Sequence, residues 1–365
     1  MNKFLKYFIL SFTLIYVFNF FQYKILFAQN RKDLDKIRIE ENAKKEKEKI
    51  KNTKVKSIEY FINGSKSGFT VFDINGNMIE DIRFSKGKEF HSELYYYNEN
   101  NNLVKKTEIE QNKLVNLEIY TYNQINNKLT SEKYNGDTIL QYKEFYSYDE
   151  KNNLIGENII YNDSEYIKNI YKYDENNNRT EERQIMNVIM IPHRDPNVLN
   201  KFTYDEHGNV IEEKLYDVAA ETEIENHYSY EYDKMGNILV LSAKSKDTID
   251  CYTERMVYDS NNIKIEYASY NNQDELEYKI NYRYDNKKNV IEIRHYNHDY
   301  SLNETEVFAY DESGNLIKNR LIDKNLWVKR DLIQKFDDRG NLIEVQYEAK
   351  GEEKLVITYS YVYYN

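Results

Sequence analysis

From residue 57 onward, apolar and polar residues alternate with the period of two that is typical of β-strands. One phrase interrupts this alternation at regular intervals: an aromatic residue, Asp or Asn, two variable residues, Gly or Asn, and then Asn. We number each copy from its leading aromatic residue, which is position 0. The eleven leading residues are Phe72, Tyr97, Tyr122, Tyr148, Tyr173, Tyr204, Tyr232, Tyr258, Tyr284, Tyr310 and Phe336. They lie 25 or 26 residues apart, except for single steps of 31 and 28, and this period predicts one continuous repeat array.

The phrase has the chemistry of a hairpin turn. Position +4 is Gly or Asn in ten of the eleven copies, and these residues accept a positive φ most readily. Asp or Asn at +1 can accept hydrogen bonds from backbone N–H groups further along the turn. We therefore predict a four-residue loop, built on a type I turn and closed by a left-handed residue. In such a hairpin the aromatic residue at −2 faces the aliphatic residue at +7 across the two strands.

A second turn divides each repeat into two strands. Its clearest example is Asn135-Gly136, which stands between two alternating segments and is a strong hairpin signal. The sequence thus predicts an all-β fold, a repetitive antiparallel meander of about 22 strands over 57–365. A sheet of more than about ten strands rarely stays flat and open. We expect the ribbon to coil into a spiral, to curl into a shell, or to fold back on itself.

The segments before the array have a different composition. Residues 1–28 combine two early lysines with a 15-residue apolar run and the sequence Phe27-Ala28-Gln29, which predicts a signal peptide cleaved after Ala28. An uncleaved anchor is the alternative, although the run is shorter than the roughly 20 residues that a spanning helix needs. Residues 29–56 are rich in Lys and Glu and predict a charged helical or flexible stalk. The repeat at 173–203 is irregular and contains both prolines of the chain.

Charge is unevenly divided along the sequence. Residues 1–56 carry fourteen Lys and Arg against six Asp and Glu, which leaves thirty-seven against fifty-six, a net of −19, for the array. An acidic array argues against a nucleic-acid partner, because phosphate binding requires clustered cations. Metal cations, basic proteins and neutral sugars remain compatible with this charge. The single cysteine, Cys251, excludes an internal disulfide.

The complete phrase, Tyr310-Asp311-Glu312-Ser313-Gly314-Asn315 followed by two aliphatic residues, resembles the YD repeats of bacterial Rhs proteins and teneurins. The resemblance extends over roughly residues 60 to 365. It implies an extracellular or secreted β-ribbon that spirals into a hollow shell, which encloses a toxin fragment or presents a surface for adhesion and carbohydrate contact. The sequence departs from the family in having Asn where Arg follows the Gly, and in ending on a strand without a C-terminal toxin or core region.

No set of residues in the sequence has the arrangement of a catalytic centre. The six histidines and Cys251 lack a nucleophile–base or zinc-site pattern, so we expect no enzymatic activity, no metal centre and no cofactor. Stacked Asp and Asn residues on successive turns leave Ca²⁺ sites as an alternative. Tyrosine combines an apolar ring with a polar hydroxyl, so it suits a partly solvated sheet face and also contact with a sugar or protein ligand. The candidate binding residues are Tyr146, Tyr148, Tyr171, Tyr173, His193 and Arg194, the last two from the irregular repeat.

The sequence as a whole favours an exported, non-enzymatic β-repeat scaffold. We expect it to bind a glycan or a protein at the bacterial cell surface or in the periplasm, or as a secreted protein, with no membrane span after signal cleavage. The first alternative is a shell or delivery accessory for another polypeptide, such as a toxin. The second is a hydrolase of surface glycans, for which the sequence offers no identifiable acid–base pair.

Overall fold

Alternation and turn chemistry together produce a long antiparallel sheet. In the computed structural model the described residues are 29–161, 164–186, 197–217, 224–246 and 251–365. The predicted signal peptide, and His193 and Arg194 of the irregular repeat, lie outside them. Helix α1 covers Gln29–Asn52, and the sheet belongs to a unit that extends over Glu48–Asn365. Among the described helical residues, no helix has the length and apolarity that crossing a membrane requires.

Twenty-four strands follow one another along the chain. The first twelve are β1 (Val55–Ile62), β2 (Ser65–Phe72), β3 (Met78–Ser85), β4 (Lys88–Tyr97), β5 (Leu103–Glu110), β6 (Lys113–Tyr122), β7 (Lys128–Asn135), β8 (Leu140–Tyr148), β9 (Leu154–Tyr161), β10 (Ser164–Tyr173), β11 (Arg179–Met186) and β12 (Val198–Tyr204). The second twelve are β13 (Val210–Asp217), β14 (Ile224–Tyr232), β15 (Ile238–Ser245), β16 (Tyr252–Tyr258), β17 (Lys264–Asn271), β18 (Leu276–Tyr284), β19 (Val290–Asn297), β20 (Leu302–Tyr310), β21 (Leu316–Asp323), β22 (Val328–Phe336), β23 (Leu342–Ala349) and β24 (Leu355–Tyr363). Each strand pairs antiparallel with the next, which confirms the all-β meander.

The eleven phrases form the same turn throughout. In every copy the residue at +4 has a positive φ, between 61° and 86°, and its N–H donates to the carbonyl of +1 at 2.9–3.2 Å. The side-chain Oδ1 at +1 accepts the N–H of +5 at 2.8–3.0 Å. The predicted left-handed residue and the predicted role of Asp or Asn are therefore confirmed. Lys288 adopts the same φ as the Gly and Asn residues, which shows how strongly the turn imposes it.

The register of the hairpins differs from the prediction. Position 0 pairs with +6, −1 pairs with +8, and −2 pairs with +9 in all eleven copies. The loop thus has five residues, and the residue at +7 is the extra residue of a β-bulge. The predicted pairing of −2 with +7 is wrong, because the bulge moves the aliphatic residue out of the ladder. Tyr95, for example, faces Lys106 instead of Val104.

The sheet closes on itself. Strand β1 pairs with β2 on one side and with β24 on the other, so this sheet has no free edge among its described strands. The twenty-two strands of the eleven hairpins are those of the prediction, and β1 and β24 add the pair that joins the two ends. Closure removes the unpaired N–H and C=O groups that an open sheet exposes at its edges.

The seam between β24 and β1 reproduces the hairpin register without a connecting loop. Tyr363 pairs with Val55, Val362 with Ser57, and Tyr361 with Ile58, which is the pattern of 0 with +6, −1 with +8, and −2 with +9. The N–H of Tyr364 donates to the carbonyl of Lys54 at 2.8 Å, as the N–H of +1 does to the carbonyl of +5 elsewhere. The two ends of the array are therefore paired like the two strands of a hairpin, although no loop connects them.

A small apolar cluster lies beside the seam. Ile50, at the end of α1, packs with Val55 and Phe72, and all three are buried. Tyr361 and Tyr363 pack against the same cluster from β24. Residues from the helix end, the first hairpin and the last strand therefore share one buried contact.

The two faces of the sheet differ in burial. We call the face that carries positions 0, −2, −4, −6, +9 and +11 the aromatic face, since the pleat places alternate residues on one side and paired residues beside each other. On the opposite face, position −1 is exposed in ten of the eleven copies. Seventeen apolar and sixteen polar residues are buried among the described ones, and twelve of the sixteen polar residues lie on the aromatic face. Because burial normally selects apolar residues, this is not an ordinary apolar core.

The hydrogen bonds of the turn carboxylates should be measurable at Asp337. This side chain accepts hydrogen bonds from the N–H groups of Arg339 and Asn341, from the Asn341 amide and from the Tyr363 hydroxyl, at 2.8–3.1 Å. We expect Asp337→Ala to lower the free energy of unfolding by about 1 to 2 kcal/mol in urea titrations at pH 7. The matched control is Asp338→Ala, an exposed carboxylate in the same turn, which should leave the free energy nearly unchanged.

The same variant should change the acid sensitivity of the fold. Burial raises the pKa of Asp337, but the hydrogen bonds from Asn341 outweigh it and the pKa is lowered. A lowered pKa stabilises the fold above the ordinary Asp pKa of about 3.9, and this stability is lost as the pH falls through the folded-state pKa. Unfolding measured from pH 7 to pH 3 should therefore show a smaller loss for Asp337→Ala than for the wild type. Equal losses would contradict the assignment.

Closure of the sheet can be tested by a cross-link over the seam. Glu59 and Ser360 lie directly opposite each other on β1 and β24. In a Cys251→Ser background, Glu59→Cys with Ser360→Cys should form a disulfide on mild oxidation, because paired residues have Cβ atoms about 5 Å apart. Non-reducing electrophoresis should show a faster band that disappears on reduction. The control is Glu59→Cys with Ser147→Cys. Ser147 is on β8, which does not pair with β1, so this variant should not cross-link within one chain.

Candidate functional site

The centre of the aromatic face combines carboxylates and tyrosines. We call positions −4, −2 and +9 of the eleven repeats the central band; it contains nine carboxylates, eight tyrosines and one lysine, Lys106. The carboxylates are Asp81, Glu93, Glu118, Glu144, Glu157, Glu182, Glu213, Glu254 and Glu306. The tyrosines are Tyr95, Tyr120, Tyr146, Tyr171, Tyr228, Tyr230, Tyr267 and Tyr282. Positions −4 and −2 share one face because side chains alternate along a strand, and the bulge places +9 on that face opposite −2.

Tyrosine hydroxyls of the band bind the carboxylates two residues before them. The Tyr95 hydroxyl donates to Glu93 at 2.5 Å and the Tyr146 hydroxyl donates to Glu144 at 2.6 Å. Burial, together with the neighbouring carboxylate, raises the pKa of Tyr95 and of Tyr146 above the usual range. These hydroxyls therefore stay protonated and act as hydrogen-bond donors.

Glu93 shows how a buried carboxylate is stabilised in this band. Its side chain accepts hydrogen bonds from the Tyr95 hydroxyl and, at 2.7 Å, from the Lys106 ammonium. Burial raises the pKa of Glu93, but these two partners outweigh the burial and the pKa is lowered. The carboxylate is thus ionised at neutral pH and has a cation of its own.

Cations at position +6 lie between the aromatic rings of successive repeats. The Lys128 ammonium lies 5.2 Å from the ring centre of Tyr120 and 5.3 Å from that of Tyr146. The Arg179 guanidinium lies 5.6 and 5.5 Å from the rings of Tyr171 and Phe202. Cation–π contacts of this kind contribute roughly 0.5 to 2 kcal/mol each. The space between neighbouring rings of the band is therefore suited to a positive group.

Between Tyr146 and Tyr171 the corresponding position +6 is Leu154, so this repeat supplies no cation. Glu157 pairs directly with Tyr146, accepts the Asn169 amide at 2.9 Å, and lies 3.5 Å from the Tyr171 hydroxyl. We call Glu144, Tyr146, Glu157 and Tyr171 the β8–β10 site. All four side chains are half-buried. Among the described residues, no Lys or Arg nitrogen lies within 4.0 Å of either carboxylate of this site.

The candidate tyrosines from the sequence have two different positions. Tyr146 and Tyr171 belong to the β8–β10 site, and the structure brings them to the same face on strands separated by β9. Tyr148 and Tyr173 lie on that face too, but their hydroxyls donate to the carbonyls of Lys128 and Leu154 at 3.0 and 2.9 Å. That bond links neighbouring repeats and leaves these two residues a structural role.

The bond of Tyr148 and Tyr173 recurs along the array. Eight leading tyrosines donate to the carbonyl at +6 of the preceding repeat, at 2.6–3.0 Å. The donors are Tyr97, Tyr122, Tyr148, Tyr173, Tyr204, Tyr232, Tyr284 and Tyr310. The leading aromatic residue thus joins one hairpin to the next.

Sequence reasoning missed the two carboxylates of the site. Glu144 and Glu157 stand among many acidic residues, and only the bulged register places both of them beside Tyr146. It also missed the one group among the described residues whose side chains have the spacing of metal ligands, which is His91, Glu108 and Glu110. His91 is on β4 and the two glutamates are on β5, so only the pairing of these strands brings them together.

No protein-family model matches the chain, and no curated protein is similar to it. Solved structures show a distant structural similarity. A crystal structure of TcdB2-TccC3-Cdc42 matches with a TM-score of 0.34 and 13% identity, covering 82% of this chain and 18% of that one. A Tc holotoxin pore of Photorhabdus luminescens matches with a TM-score of 0.32 and 12% identity, over 79% and 20%. A porin-like protein of Bacteroides uniformis matches with a TM-score of 0.27 and 8% identity, over 85% and 97%.

The chain spans about a fifth of the length of the two Tc structures.

The role of the tyrosine hydroxyls can be tested on one strand. Tyr95→Phe removes the donor at 2.5 Å from Glu93 and leaves that buried carboxylate with one partner fewer. We expect a loss of about 1 to 3 kcal/mol in the free energy of unfolding and a rise in the Glu93 pKa in an NMR pH titration. Tyr96→Phe is the matched control, because Tyr96 is exposed on the opposite face and should tolerate the change. Equal effects of the two variants would rule out this role.

Proposed function

We propose that the closed sheet holds another polypeptide, and that its aromatic face binds basic segments of that polypeptide at the β8–β10 site. The observation that carries this proposal is the pair of half-buried carboxylates, Glu144 and Glu157, which lie beside two tyrosine rings without a Lys or Arg of the described chain within 4.0 Å. A partly desolvated carboxylate gains most from a cation that is also hydrogen-bonded to it.

The chain itself supplies the pattern for such binding. Lys128 occupies the equivalent space one repeat earlier, between the rings of Tyr120 and Tyr146. A Lys or Arg side chain of a bound polypeptide would make the same contacts between Tyr146 and Tyr171, with the two carboxylates as additional acceptors. A neutral sugar would stack on the tyrosine rings but would leave both carboxylates without a cation. The charge of the site therefore favours a basic polypeptide over a glycan.

The sheet architecture favours recognition through side chains. Because the described strands leave no free edge, a polypeptide cannot add to this sheet as an extra strand. Position −2 is tyrosine on β4, β6, β8 and β10 in succession, and alternate strands are about 9.6 Å apart. An extended chain advances about 10 Å over three residues. A polypeptide that crosses the strands can thus present a basic residue at each third position to successive repeats.

This function is that of a shell or delivery accessory, as in the YD-repeat proteins that the phrase resembles. The support is the turn phrase itself, repeated eleven times, and the edge-to-edge closure of the array. With an export signal predicted at 1–28, the protein would bind its polypeptide partner in the periplasm, at the cell surface or after secretion. We propose both that the protein is related to that family and that it is exported.

The proposal can be tested on the full chain with defined fluorescent peptides. A peptide with Lys at every third position should bind in an anisotropy titration, and its affinity should fall as salt is raised. Glu144→Gln with Glu157→Gln should weaken that binding at least about fivefold, since a buried charge pair contributes more than 1 kcal/mol. Glu150→Gln, in the exposed turn after β8, is the matched control and should bind as the wild type does.

Two results would overturn the proposal. One is equal affinity for the Lys peptide and for the same peptide with Glu in place of Lys. The other is unchanged binding in the Glu144→Gln, Glu157→Gln variant while its thermal unfolding matches that of the wild type. Saturable binding of a neutral oligosaccharide at the same tyrosines would favour the glycan-binding function instead.

A further inference from the structure

We propose that His91, Glu108 and Glu110 form a binding site for a divalent transition-metal ion of the zinc type, on strands β4 and β5. This proposal concerns a different part of the aromatic face from the β8–β10 site and does not rest on polypeptide binding. His91 pairs directly with Glu110, and Glu93 pairs with Glu108, so the four side chains share one face of the sheet.

The three ligand atoms converge without bonding to each other. His91 Nδ1 lies 3.8 Å from an oxygen of Glu108 and 3.8 Å from an oxygen of Glu110, beyond hydrogen-bond distance. All three atoms lie within 4.8 Å of one another. Ligands about 2.1 Å from a tetrahedral ion are about 3.4 Å apart. Movements of a few tenths of an ångström would therefore bring His91 Nδ1 to this distance from each carboxylate oxygen.

The second observation is the state of the histidine ring. His91 is only 7% exposed, and its buried Nε2 has no hydrogen-bond partner. With a metal ion on Nδ1, the ring would carry its proton on Nε2; this atom faces an oxygen of Glu93 at 3.9 Å, and a small turn of the ring would be needed to form that hydrogen bond. A carboxylate behind a ligating histidine is the usual arrangement that orients such a ring.

The surrounding contacts leave one oxygen of Glu108 for a ligand. The Asn116 amide donates to Glu108 Oε2 at 2.6 Å, so the other oxygen, Oε1, is the one directed at His91. Glu110 is more exposed than its partners, with a side chain 58% accessible, which gives an ion an open path from solvent. Coordination by these three residues would therefore leave positions for water or for a further ligand.

The charge balance also favours a cation. Arg83 neutralises Asp81 at 3.3 Å, and Lys106 neutralises Glu93 at 2.7 Å. For Glu108 and Glu110, the described residues provide no Lys or Arg nitrogen within 4.0 Å. Two carboxylates beside a buried imidazole thus lack a compensating charge, which a divalent ion would supply.

The ligand set distinguishes between metals. One imidazole nitrogen with two carboxylates suits Zn²⁺ and related first-row ions, which bind nitrogen and oxygen at 2.0 to about 2.2 Å. Ca²⁺ needs six to eight oxygen ligands, and Mg²⁺ also prefers oxygen. We expect Zn²⁺ to bind and Ca²⁺ to bind at least about a hundredfold more weakly.

The test is calorimetric titration of the metal-free full chain with Zn²⁺, checked by the upward shift of its melting temperature. One equivalent should bind, and Glu110→Gln should weaken binding at least about tenfold without loss of fold, since Glu110 is largely exposed. Glu108→Gln should do the same. The matched control is Glu99→Gln, an exposed carboxylate in the turn at the other end of β4, which should bind Zn²⁺ as the wild type does.

NMR of the imidazole nitrogens gives a readout that general destabilisation would not reproduce. Zn²⁺ should shift the Nδ1 resonance of His91 and leave the other histidines near their metal-free positions. Absence of Zn²⁺ binding would overturn the proposal. So would binding that is unchanged in both Glu108→Gln and Glu110→Gln, because the ion would then lie elsewhere in the chain.

Discussion

The arrangement of the whole sheet depends on the single residue that each hairpin inserts at position +7. This bulge shifts the ladder by one residue, so that −2 faces +9 and not the aliphatic residue of the repeat. The residues brought beside the tyrosines are then mostly polar. An unbulged hairpin with a four-residue loop would instead place the aliphatic residue at +7 opposite the aromatic residue at −2. Backbone geometry thus decides which side chains lie beside the tyrosines across each hairpin.

Burial of so many carboxylates requires local compensation, because an ionised group in a poorly hydrated environment is strongly destabilising unless it is paired. The sheet provides compensation in two ways. Tyrosines two residues further along the same strand donate to Glu93 and Glu144, Lys106 of the paired strand reaches Glu93, and Arg83 of the same strand reaches Asp81. Glu157 and Glu108 have hydrogen-bond donors but no Lys or Arg nitrogen within 4.0 Å among the described residues, and the two proposed sites are built on these carboxylates.

Local features of the fold could be predicted from the sequence, and long-range ones could not. Gly or Asn at +4 indicated the positive φ in ten of the eleven turns, because a left-handed residue is a local steric requirement. The bulge left no comparable signal, and the pairing of Val55 with Tyr363 joins residues from opposite ends of the array. Tyr146 and Tyr171 were identified by residue type, but Glu157 and His91 acquire their partners only through the register. The sequence thus indicated the tyrosines of the candidate site but not the partners that the strand register brings to them.

The seam pairs two strands that no loop connects, and this affects how the molecule folds. Eleven hairpins are local structures that can form as soon as their residues are available, whereas β1 must wait for β24, the last strand of the array. Contacts between distant residues form slowly, although the entropic penalty of closing a long loop grows only logarithmically with its length. Until the last strand docks, both edges are exposed and the ribbon remains open to anything that lies against its aromatic face. The order of folding therefore gives an interval in which the aromatic face and both edges of the ribbon are accessible, before the ring of strands is complete.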